Sequence, residues 1–140
     1  MDAKQALNDL REISSQIGAA VLMESDGAVL GSTLADGSRA EALAAAAREL
    51  LAAADRTRRG VAPDALTQLE VATLEGSVFV VRDGKRVLAA TTSPEPTVGL
   101  VFYDLKSCLR NAQSEPPKPK PRRASKPKSK PPKETGDAGP

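Results

Sequence analysis

From Glu115 onward the chain is Pro, Lys, Arg, Ser and little else. Between Pro116 and Lys133 stand eight basic residues, Lys118, Lys120, Arg122, Arg123, Lys126, Lys128, Lys130 and Lys133, with no acidic, aromatic or large aliphatic side chain among them. Such a segment has too little apolar surface to offset the entropy of ordering it, and its prolines favour an extended ensemble. Folding is therefore confined to one domain over residues 1–114, and 115–140 read as a disordered Pro/Lys/Arg-rich tail. The tail also sets the sign of the net charge. Residues 1–114 hold 12 basic and 15 acidic side chains, a net −3, and the remainder carries +5, which together make the +2 of the whole.

A domain of this length can bury one core without disulfides or metals. No apolar run approaches the length of a membrane span, and the opening stretch, MDAKQALNDL, is acidic and polar where a signal peptide is basic and then apolar. A cytoplasmic protein is expected. A single cysteine, Cys108, fits a reducing compartment. With no histidine in the chain, Ser-His-Asp and Cys-His nucleophile systems and His-ligated metal sites are impossible. Neither a P-loop nor a dinucleotide-binding glycine pattern is present. Phe79, Phe102 and Tyr103 are too few to stack bases on a sheet. No enzymatic activity, cofactor or metal is expected.

Along the folded part, residues 2–17 carry Leu7, Leu10, Ile13 and Ile17 at helical spacing, with Asp2 as cap and Gly18 as terminator. Residues 19–24 and 28–33 read as a hairpin turned by Ser25-Asp26-Gly27. Residues 39–59 read as the longest helix, opened by an S-x-x-E capping box from Ser38 to Glu41. Strands follow at 66–74, 77–82 and 85–91, with Glu75-Gly76 and Asp83-Gly84 as turns. Val78 to Val81 is apolar without alternation, which predicts cover on both faces. A last helix over 97–112 carries the stripe Val98, Val101, Phe102, Leu105, Cys108, Leu109 and Ala112. The order α-β-β-α-β-β-β-α, as an α+β sandwich with a five-stranded antiparallel sheet and helices on both faces, buries every one of these surfaces.

That order, with Gly18 to Leu34 (GAAVLMESDGAVLGSTL) and Thr97 to Tyr103 (TVGLVFY), resembles the roadblock/dynein light chain family. The first stretch matches the family's G-A-x-L-x-x-x-D-G-x-x-L-A-S pattern, with Gly31 where Ala is common. The second matches its N-x-G-L-v pattern, with Thr97 for Asn. The resemblance implies a profilin-like sandwich that homodimerises through its second helix and third strand. It also implies a non-enzymatic role, since bacterial members resemble regulators of Ras-like small GTPases, including a GTPase-activating protein of gliding polarity. Carried over by position, the dimer contact would involve Leu43, Ala47, Leu50, Leu51 and Ala54 on the helix and Leu69, Val71 and Thr73 on the strand. The residues alone leave two choices for that small-residue stripe, the chain's own sheet or a twin helix, and the resemblance favours the twin.

Other features have ordinary readings. Arg56, Arg58 and Arg59 lie where cations suit a helix C-terminus. Cys108 lies on an apolar stripe and reads as a core thiol. Asp26, Asp36 and Asp83 adjoin turns. The tail's eight cations suit phosphate polyanions or anionic lipid. They support an alternative reading, a dimeric adaptor whose tail tethers a partner to nucleic acid or a membrane surface. Arg122-Arg123-Ala124-Ser125 resembles a basophilic kinase site, with phosphate on Ser125 reducing the local charge.

Overall fold

The computed structural model describes residues 2–60 and 66–113. The tail cations from Lys118 to Lys133, and Ser125, lie outside the described residues. The elements are α1 (Ala3–Ile13), β1 (Ile17–Glu24), β2 (Val29–Ser32), α2 (Gly37–Arg59), β3 (Gln68–Thr73), β4 (Gly76–Asp83), β5 (Arg86–Thr92) and α3 (Val98–Gln113). The five strands form one antiparallel sheet in the order β2-β1-β5-β4-β3. This is the expected sandwich.

Alternating side chains of the three central strands feed two cores. Leu22, Phe79, Val81, Leu88 and Ala90 meet Leu7 and Leu10 of α1 and Leu105 and Leu109 of α3. Val21, Met23, Val80, Val87 and Ala89 meet Ala40, Ala44, Ala47 and Leu51 of α2 on the other face. Both faces of β4 are therefore covered, which is why Val78 to Val81 shows no polar alternation. Phe79 is fully buried and meets Phe102 edge to face at 5.0 Å between centroids.

Three local expectations are corrected. The first helix ends at Ile13, not at residue 17. Ser14 turns to extended backbone (φ −119°, ψ 106°) while its N–H still bonds the Leu10 carbonyl at 3.0 Å. Ile13 is then 66 % exposed, and Ile17 pairs with Thr92 in the sheet. Gly18 consequently belongs to β1 and terminates nothing. The second helix starts at Gly37 and is capped by Asp36, whose Oδ1 accepts from the Ser38 N–H at 2.9 Å and hydroxyl at 2.8 Å. These two bonds hold the Asp36 carboxyl below the usual range. Ser38 thus serves the cap from inside the helix, replacing the expected box with Glu41.

The predicted turn chemistry is present. Asp26 Oδ1 accepts from the Ala28 N–H at 2.9 Å, and Gly27 has φ +105°. Cys108 is buried, its thiol donating to the Ala6 carbonyl at 3.4 Å, and burial pushes it up to about 12. A thiol held neutral and covered is a poor nucleophile. The folded protein is expected to resist a maleimide at pH 8 over hours and to label fully in urea. Fast labelling without denaturant would show that α1 and α3 separate.

Candidate interaction surface

α2 is amphipathic only weakly, because alanines lie on both of its faces. Its inner seam, Ala40, Ala44, Ala47 and Leu51, steps by four, three and four residues and is spent on the sheet. Ala47 is 0 % and Leu51 4 % exposed. Leu43 is half-buried against the same core. Of the residues expected at a dimer contact, these three face the chain's own sheet. Leu50 and Ala54 are half-exposed beside the seam.

The outer face is where α2 is open. A shallow groove of about 600 Å³ runs along it, lined by Ala46, Glu49, Leu50, Ala52, Ala53 and Arg56. Only Leu50 was legible as an interface residue. The other alanines follow the opposite helical phase, and in a helix of nearly uniform small residues the period does not say which phase faces in.

β3 is an edge strand, and among the described residues no strand pairs with its outer side. Leu69 and Val71 are half-buried, Leu69 against the α2 core. Thr73 is exposed, and its hydroxyl donates to the Gly76 carbonyl at 2.8 Å. Leu69 packs on the core that the inner seam of α2 covers, and the groove lies on the outer face of the same helix.

The base of α2 is held by an ion pair. Asp55 receives two parallel bonds from Arg82 of β4, Nη1 to Oδ2 and Nη2 to Oδ1, each 3.0 Å. Asp55 Oδ1 also accepts from the Leu66 N–H at 3.1 Å, and Arg82 Nε donates to the Leu66 carbonyl at 2.9 Å. Arg56, Arg58 and Arg59 are exposed in the turn below, where they complement the helix dipole. Among the described residues no three Cys, Asp or Glu side chains gather as metal ligands, and no helix is long and apolar enough to cross a membrane. The surface offers shape, apolar cover and unpaired backbone, the materials of a protein–protein contact.

Comparisons with known proteins identify the family and the fold. Residues 4–93 match the model of the Roadblock/LC7 domain family. The solved Roadblock/LC7 domain from Streptomyces avermitilis superimposes with a TM-score of 0.74 at 19% identity, covering 81% of this chain and 96% of that one. The gliding protein MglB from Thermus thermophilus gives 0.67 at 14%, covering 79% and 84%. A LokiProfilin2 solved with rabbit actin gives 0.53 at 15%, covering 76% and 92%, which confirms the profilin-like fold. Among curated protein sequences, none matches. With the family model spanning well over half of the chain, this protein belongs to the Roadblock/LC7 domain family.

Proposed function

We propose that this chain is a non-enzymatic homodimeric module that binds a Ras-like small GTPase and modulates its cycle. The observations that carry the reading are the open groove on the outer face of α2 and the position of β3 at the edge of the sheet. A second copy covers both at once, helix on helix and edge on edge, with no new element. The fold's likeness to MglB structures, one of them solved in a tetrameric arrangement, supports self-association in a GTPase-regulating lineage. The arginines at the base of α2 are read as helix-end cations, so the effect on a GTPase comes through its conformation and not through a lent guanidinium.

Ala53→Arg places a charge in the groove without touching the core. Desolvating an unpaired guanidinium at an interface costs several kcal/mol, so the dimer is expected to weaken by about 100-fold. Light scattering coupled to gel filtration reads the mass, and pull-down of a small GTPase from the host with GDP or a non-hydrolysable GTP analogue reads the partner. A variant that remains dimeric removes α2 from the interface. A dimeric wild type that holds no GTPase in either nucleotide state defeats the regulatory reading alone.

A further inference from the structure

α1 and α3 lie side by side and antiparallel on one face of the sheet. The Cys108 thiol meets the Ala6 carbonyl at 3.4 Å, and the Thr97 N–H donates to Gln16 Oε1 at 2.6 Å. Between these two contacts Ile13 stands across from Leu100. Six large apolar side chains of the described residues are exposed, and four of them gather here: Ile13 (66 %), Val98 (38 %), Leu100 (48 %) and Tyr103 (65 %). The charges of the two helices sort about the same seam. Asp9 lies between Ala6 and Ile13 on the flank toward α3, close enough for its charge to act on the Cys108 thiol. Lys4 and Arg11 fall on the opposite flank of α1. On α3, Lys106 and Arg110 line the cleft against β4, Lys106 over the Phe102 ring and Arg110 bonded to the Ser107 hydroxyl at 3.3 Å. Leu100, Asp104 and Cys108 step by four residues along the side that meets α1. Asp104 is 7 % exposed, and among the described residues no hydrogen bond or ion pair reaches it. Among those residues the one side-chain polar atom sealed from the surface without a partner is Ser14 Oγ, so the Asp104 carboxylate keeps an outlet to the outside.

We propose that the seam between α1 and α3 docks a segment of a partner protein that carries an arginine or lysine amid apolar side chains, the cation pairing with Asp104 and the apolar groups covering Ile13, Leu100 and Tyr103. A carboxylate so nearly buried, with neither donor nor counter-charge, is costly, and a cation delivered from outside removes that cost. The seam is apolar and negative, so its complement is apolar and positive. Residues 115–140 hold cations but no large apolar side chain, so they do not supply such a segment. An anionic membrane is repelled by Asp9 and Asp104, which sets the exposed apolar residues apart from a lipid anchor. The inference is independent of the GTPase reading, since α2 packs on the other face of the sheet and β3 stands at its edge.

The test is selection from a phage-displayed library of random peptides, each of about 16 residues or roughly four helical turns, on the immobilised full chain. Peptides held by the wild type and lost on Tyr103→Ser are expected to carry Arg or Lys between apolar residues. The tightest of them, synthesised and labelled, is then titrated by fluorescence anisotropy. Its affinity should fall about 30-fold with Asp104→Asn and about 10-fold with Tyr103→Ser. Ala53→Arg, in the groove of α2, should leave it unchanged. Asp104→Asn removes an uncompensated charge, so the free variant should unfold in urea at a midpoint no lower than the wild type's. A lower midpoint would mean that the carboxylate is already satisfied within the domain, and overturns the proposal. So does a selection in which no peptide distinguishes the wild type from Tyr103→Ser, or in which those that do lack a cation. A peptide bound equally by Asp104→Asn and the wild type overturns it as well.

Discussion

Gly76→Ala is expected to destabilise the fold by about 4 kcal/mol, enough to unfold a large share of a marginally stable domain. Gly76 opens β4 directly after the two-residue turn Leu74-Glu75, where Thr73 pairs with it across the hairpin. Its φ is +155°, and a Cβ built on it would stand 2.3 Å from the Thr92 carbonyl oxygen. That obstacle is backbone in the neighbouring strand, fixed by the pairing of Ser77 with Thr92, and cannot swing aside as a side chain would. The cost therefore combines an unfavourable backbone conformation with a clash that pries β5 from β4. Gly37→Ala is the control. Nothing lies within 4 Å of its Cβ position, and in the first turn of α2 an alanine should stabilise by about 0.5 kcal/mol. Urea unfolding of the two variants, compared at equal m-value, decides the matter. Equal stability of Gly76→Ala and the wild type would mean that β4 and β5 do not approach as described.

This glycine also marks how far local sequence goes. Glu75-Gly76 announces a turn, and the hairpin motif around Asp26-Gly27 does so as well, because turn chemistry resides within a few residues. The reason Gly76 tolerates no Cβ lies 16 residues away in Thr92, beyond any local pattern. The end of α1 follows the same logic. Ile17 continues the helical period of Leu7, Leu10 and Ile13, yet its pairing with Thr92 takes it into the sheet, and Ile13 is left outside. Two-sided burial of β4 was readable, since an unbroken apolar run is itself the signal. The face of α2 was not. Ala40, Ala44 and Ala47 are buried while Ala46, Ala52 and Ala53 are exposed, and identical residues give periodicity no contrast to work with.

Breaking the Asp55–Arg82 pair is expected to cost about 3 kcal/mol at pH 7, the second largest effect. Charge-assisted bonds that are mostly shielded from water contribute more than exposed pairs, and here the two side chains are 15% and 18% exposed. Asp55→Asn keeps the shape but loses the charge that accepts both guanidinium bonds. The Arg82 bond, and then the Leu66 N–H, hold the Asp55 carboxyl below its ordinary value of 3.8, against the opposing effect of burial. A carboxylate whose folded pKa is depressed stabilises the fold above its unfolded pKa, and that contribution disappears as pH falls through the folded value. The gap in stability between wild type and Asp55→Asn should therefore be full at pH 7 and close progressively below about pH 4. Urea midpoints at several pH values measure it, and a gap that stays constant down to pH 2 would sink the assignment. The double variant Asp55→Asn/Arg82→Met separates the pair from its members. If the two side chains stabilise chiefly each other, the double variant loses less than the sum of the singles, because Arg82→Met alone strands the carboxylate against Leu66. The same pair ties the base of α2 to β4 and to the start of β3, so its loss frees the helix end that carries the groove. Asp55→Asn should then weaken self-association as well as stability, whereas Phe79→Ala, in the core on the far face, should lower stability and leave the association of the remaining folded protein unchanged.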